Sequence, residues 1–219
     1  MKTKTKALAV SLCAILLVVA SVMGTMAYLT STDKVENTFT VGNVQITLDE
    51  ADVDTDGTPV EGAERVKKNE YHLMPGHTYT KDPTVHFAAG SEASYLFVKV
   101  ENGIKDIIDT TTIEDQIEAN KWEKLTGVSG VDNVYYQKVD ANTGNAAVDY
   151  VVFGSFKIKD DVKGEELAKY ETETNSKGEI TNGKQITVTA YAVQQDGFED
   201  AKDAWTNTFG KTTTENTGN

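Results

Sequence analysis

The chain has 219 residues and sets 34 acidic side chains against 21 basic ones, a formal net charge of −13 at pH 7. So acidic a surface excludes binding to nucleic acid or anionic lipid, because phosphate recognition needs clustered Lys and Arg. The only cysteine, Cys13, sits near the amino terminus, which excludes a disulfide framework and leaves stability to a core that a chain of this length can bury.

Lys2, Lys4 and Lys6 precede an uncharged stretch over residues 7–32, of which 7–23 (ALAVSLCAILLVVASVM) is apolar. A basic start, an apolar run and a small-residue exit make a secretory signal helix. Thr25-Met26-Ala27 places small residues at the two positions a signal peptidase reads, so the cut is expected between Ala27 and Tyr28. The apolar run falls just short of the ~20 residues of a spanning helix, and a retained anchor is the competing reading. Leu12 before Cys13 does not suit a lipoprotein cut. The mature chain, residues 28–219, then has no cysteine, and loss of three lysines takes its charge from −13 to −16.

Strand patterns dominate the mature chain. Residues 44–48 alternate apolar and polar, the period of a half-buried strand. Phe39 and Val41 alternate on the other parity, and a bulge or turn at Gly42-Asn43 would bring both sets to one face. Further strands are expected at 95–101, 134–139, 150–158 and 186–193, separated by Asn102-Gly103, Asn142-Thr143-Gly144 and Asn182-Gly183. Two short helices interrupt them. Residues 110–121 place Ile113 and Ile117 four apart with Thr111 and Glu114 as a capping box, and 198–205 align Phe198, Ala201 and Trp205. Short strands with polar turns argue for a mostly β, antiparallel jelly roll or β-sandwich, with two or three short helices, over 28–209. The tail 210–219 has nothing to bury and is expected to be disordered.

Few motifs carry chemistry. Asp52, Asp54 and Asp56 with Gly57 have the spacing that opens a calcium loop, but the twelfth position is Ala63, between Glu61 and Glu64. A calcium site and a solvated acidic loop are the two readings, and no other cofactor is expected. His72, His77 and His86 have zinc-ligand chemistry, but Pro75-Gly76 makes this stretch a turn, and histidines at the surface are the simpler reading. Residues 178–184 (GEITNGK) approach a phosphate loop, yet Gln185 stands where a hydroxyl should hold magnesium. Val131 breaks a nucleophile elbow after Gly127 and Ser129. No nucleophile, base and orienting group are spaced as a catalytic set, so no enzyme activity is expected.

Gly24-Thr25-Met26-Ala27-Tyr28-Leu29-Thr30, then Asn37-Thr38-Phe39-Thr40-Val41-Gly42 and a strand ending Leu48-Asp49, resemble the TasA/camelysin family. These are secreted proteins of Gram-positive bacteria whose signals are removed by a SipW-type signal peptidase. Leu73-Met74-Pro75-Gly76 before Lys81-Asp82-Pro83-Thr84-Val85 is similar to the family's L-x-P-G turn preceding a strand. Residues 186–205 resemble the last strand and helix of clostridial members; residues 102–185 match little. The resemblance implies a jelly roll, secretion to the extracellular matrix or cell surface, and assembly into biofilm fibres with itself and with other matrix proteins. It also implies that the freed segment 28–39 adds a strand to a neighbour, with Tyr28, Leu29, Val35 and Phe39 as apolar contributors. Camelysin's description as a surface metalloprotease supplies an alternative, as does a monomeric adhesion module. No residue here matches a zinc-protease motif.

Overall fold

The computed structural model describes residues 30–33, 43–170, 173, 176 and 184–210. The signal, the cut between Ala27 and Tyr28, Leu29, Val35, Phe39, Gly42, the Asn182-Gly183 turn and residues 211–219 lie outside the described residues. Among the described residues ten strands and three helices run in order: β1 (Thr30–Asp33), β2 (Ile46–Asp49), β3 (Thr78–Thr80), β4 (Thr84–Phe87), β5 (Ser94–Asn102), α1 (Thr110–Ala119), β6 (Glu123–Lys124), β7 (Val134–Val139), β8 (Val148–Val151), β9 (Ser155–Lys157), α2 (Gly164–Leu167), β10 (Ile186–Gln194) and α3 (Ala201–Phe209). One 3-10 turn, Ala168–Tyr170, extends α2. The chain is mostly β, and every strand pair is antiparallel.

Alternation explains the central sheet, ordered β1-β10-β5-β7-β6. Leu96, Val98 and Val100 of β5 share a face with Val188, Ala190 and Ala192 of β10, as the register Ala190↔Val98 requires. These side chains join one continuous core with Ile46 and Leu48 of β2, Val85 and Phe87 of β4, Tyr79 of β3 and Phe156 of β9. The core therefore lies between the five-stranded sheet and the smaller sheets β2-β4-β8 and β3-β9.

The other parity of the central sheet carries Tyr95, Phe97, Tyr191 and Val193, covered by Ala201, Ala204 and Trp205 of α3. Trp205 stands edge-on 5.1 Å from the Phe97 ring and 5.4 Å from Tyr191. A sheet buried on both faces is apolar at nearly every position, which is why β5 and β10 are so easily read. The expected helix over 198–205 begins later. Asp200 is its N-cap, accepting the Asp203 N–H at 2.7 Å, so Phe198 precedes the helix and packs beside it.

Two further expectations are corrected. Residues 150–158 are not one strand but β8 and β9, in different sheets, parted at Val152, Phe153 and Gly154. Gln116 of α1 holds that break. Its Oε1 accepts the N–H groups of Gly154 and Ser155 at 2.8 and 3.1 Å, while its Nε2 donates to Ser155 O at 3.0 Å. The capping box at Thr111 and Glu114 also fails. The helix starts at Thr110 as expected, but its N-cap is Asp109, two residues before Thr111, and makes no side-chain cap bond. Its apolar face, Ile113 and Ile117, is buried in the core as expected.

Candidate functional site

The segment expected to drive assembly is a strand over its described residues. β1 lies antiparallel on the edge of β10, with Thr30↔Val193, Ser31↔Ala192, Thr32↔Tyr191 and Asp33↔Ala190. β10 is thus paired on both sides, by β5 and by β1. With β1 removed, the backbone N–H and C=O groups of 190–193 would face outward as an unpaired edge, the surface onto which an extended segment adds. The pairing in this structure is within one chain. Of the residues named for assembly, Tyr28, Leu29, Val35 and Phe39 lie outside the described residues, on either side of β1.

The acidic loop is built for its own turn. Asp54 Oδ1 accepts the N–H groups of Asp56 and Thr58 at 3.0 and 2.9 Å, and Val60 N–H donates to Asp52 O at 2.9 Å. Gly57, at φ +78°, closes the turn against Tyr79. The histidines are scattered. His72 is exposed, with its backbone N–H on Thr55 O. His77 Nε2 donates to Asp56 O at 2.9 Å. Among the described residues, no three His, Cys, Asp or Glu side chains form a group able to hold a metal ion. Asp52, Asp54 and Asp56 are neighbours in sequence without converging on a point.

His86 is the histidine that the fold uses. On β4 it lies between β2 and β8, with Nε2 2.8 Å from Asp49 Oδ1 and Nδ1 2.6 Å from Asp149 Oδ1. A neutral imidazole carries one N–H, so two carboxylate contacts fit the doubly protonated cation. Burial opposes that charge, but the hydrogen bonds to Asp49 and Asp149 outweigh it and raise the His86 pKa. Asp49 also bonds Arg65, which reaches Asp82 Oδ2 at 2.9 Å and the Thr84 hydroxyl at 3.0 Å. Burial of Asp49 is likewise outweighed by its bonds from His86 and Arg65, which lower its pKa. No local spacing signals this row, because cross-strand pairing alone sets it.

Beside β2 lies a cleft of about 970 Å³, lined among others by Glu50, Asn69, Tyr71, Lys81, Tyr170 and Lys184. Glu50 is 5% exposed, and its Oε2 lies 2.5 Å from Lys81 Nζ. Asn69 completes the group. Its Nδ2 donates to Glu50 Oε1 at 3.0 Å and to Ala51 O at 2.8 Å, and its Oδ1 accepts the Val53 N–H at 3.0 Å. Tyr71 stands nearby with its hydroxyl donated to Thr80 O at 3.0 Å. Burial, with the Glu50 and Asp82 charges, pushes the Tyr71 pKa up.

No family model, curated protein or solved structure matches the chain. Among the described residues no helix is long and apolar enough to cross a membrane.

Proposed function

We propose that this chain is a secreted structural protein of the bacterial extracellular matrix or cell surface, a jelly roll that assembles into fibres through its freed amino-terminal segment. The observation that carries the reading is β1 on the edge of β10. A short strand held by edge pairing at the amino terminus exchanges between copies at little cost in contacts. The same backbone bonds form in either arrangement, and only the identity of the chain supplying β1 changes. While the signal is attached, its apolar run ends seven residues before Thr30, which ties export to assembly. Resemblance to the TasA/camelysin family over Gly24–Asp49 supports the same reading, with a SipW-type peptidase making the cut between Ala27 and Tyr28. The chain has no turnover chemistry in this reading.

The test compares two purified forms, one beginning at Tyr28 and one at Thr40, by size-exclusion chromatography and negative-stain microscopy. Filaments from the longer form alone support the proposal. If both forms stay monomeric at high concentration, the fibre reading fails. The second reading, a monomeric surface-binding module, then takes its place, because the 970 Å³ cleft with Tyr71 and Tyr170 in its wall would suit a wall polymer.

A further inference from the structure

We propose that Glu50 catalyses one self-modification of this chain, an isopeptide bond between Lys81 Nζ and Asn69 Cγ with loss of ammonia. A single carboxylate holds both reactants. Oε2 is 2.5 Å from the attacking nitrogen, and Oε1 is 3.0 Å from the nitrogen that leaves. The acceptor carbonyl is engaged as well, since Asn69 Oδ1 receives the Val53 N–H at 3.0 Å. That donor stands where negative charge develops as an amine adds to Cγ. Two of the three side chains are largely withdrawn from water, Glu50 and Lys81 being 7% and 11% exposed, while Asn69 is half-buried in the wall of the cleft. Orientation of this kind replaces an encounter in solution by a reaction between groups already in place.

The step balances within the three side chains. A proton passes from the Lys81 ammonium to Glu50, freeing the nitrogen lone pair. Nζ adds to Cγ, and Glu50 delivers protons to the Asn69 nitrogen to which it is already bonded. The Nζ–Cγ bond forms and the Cγ–Nδ2 bond breaks. The two protons lost by Lys81 end on the departing nitrogen, which leaves as ammonium, and Glu50 is again a carboxylate. No oxidant, metal or second substrate is needed, and the neighbouring cleft is the exit for the ammonium. An ion pair alone would need only Glu50 and Lys81. What points to chemistry is an amide placed on the other oxygen of the same carboxylate, with its own carbonyl held by a backbone donor. The product would tie residue 69 to residue 81 across the loop that leads into β3. A mature chain without cysteine would gain the kind of cross-link that exported domains otherwise take from disulfides.

Tryptic mapping of the purified mature chain tests this. Trypsin cuts after Lys68, Lys81 and Lys99. The bond removes the cut at Lys81, so the expected product is one peptide spanning 69–99, lighter than its sequence by one ammonia, whose fragmentation places the link at Asn69 and Lys81. Glu50→Gln, which keeps the shape of the side chain, is expected to give separate peptides 69–81 and 82–99 at their sequence masses. Lys81→Arg, which keeps the charge, is expected to leave Asn69 unmodified. The proposal is overturned if folded wild-type protein, aged for days, gives the two separate peptides at sequence mass. A cut peptide 69–81 lighter by one ammonia also overturns it, because that is a cyclised asparagine. Persistence of the bond in Glu50→Gln would remove Glu50 from the catalytic role.

Discussion

His86 shows how much one residue can set. It bridges β2 and β8 from the strand between them, and the arrangement needs its charge. Because its folded pKa is raised above 6.5, its contribution to stability is fully present below that value and is lost as pH rises through the folded pKa. Asp49 has the opposite sign. Its pKa is lowered from 3.8, so its contribution is present above that value and is lost as pH falls through the folded pKa. The groups facing His86 are Asp49 and Asp149, with Arg65 and Asp82 behind Asp49. His86→Gln is expected to cost roughly 1–2 kcal/mol near pH 6, with the difference from wild type shrinking toward pH 9. Denaturant midpoints measured across that range check it, and a constant difference would contradict it. Gly57 is a second such position. At φ +78° an added Cβ would meet Tyr79 Cα at 2.9 Å, so both backbone strain and a clash result. Gly57→Ala is expected to destabilise by on the order of 2 kcal/mol, read from thermal melts.

Among the elements, the central strands were legible because burial on both faces wrote itself into their composition. β7 falls on the expected residues 134–139, while β5 extends its expected range by a residue at each end and β10 by one residue at its far end. What failed was local where the cause was distant. An apolar run over 150–158 reads as one strand until Gln116, 38 residues before Gly154, takes the backbone bonds of the break. The capping box at Thr111 was a sound local pattern, but the cap lies two residues earlier, at Asp109. α3 depends on tertiary contact more than on propensity. Its Trp205 packs on Phe97, Tyr191 and Phe209, with the last ring 4.7 Å away. Trp205→Ala is expected to cost about 3–5 kcal/mol and to expose the outer aromatic face, which binding of a hydrophobic dye would report. A melting temperature within one or two degrees of wild type would show that α3 is dispensable to the sheet.

For the whole molecule, one half of the proposed assembly site could be read along the chain and the other could not. A strand-like segment after the expected signal exit is visible along the chain, but its partner edge is reached only through the fold, since Thr30 pairs with Val193. The Glu50, Asn69 and Lys81 group was hidden for the same reason, with each member unremarkable in its own stretch: Glu50 and Asn69 lie in the loop between β2 and β3, and Lys81 just after β3. The acidic loop was the reverse case, a conspicuous pattern whose carboxylate at Asp54 is spent on its own turn.

The central claim is that β1 of one copy pairs with β10 of the next, and a form beginning at Tyr28, which leaves out the single cysteine Cys13, allows a direct test. Ser31 and Ala192 are register partners. Opposed residues on antiparallel strands lie about 4.5–5.5 Å apart at Cα, within the roughly 4.4–6.8 Å that a disulfide spans. Two single-cysteine chains, Ser31→Cys and Ala192→Cys, would be mixed under assembly conditions, oxidised and run on a non-reducing gel beside the double variant. Disulfide-linked pairs containing one chain of each kind are the predicted result. Links formed only inside the double variant, with none between the two single variants, would show that β1 stays on its own chain and would contradict the account.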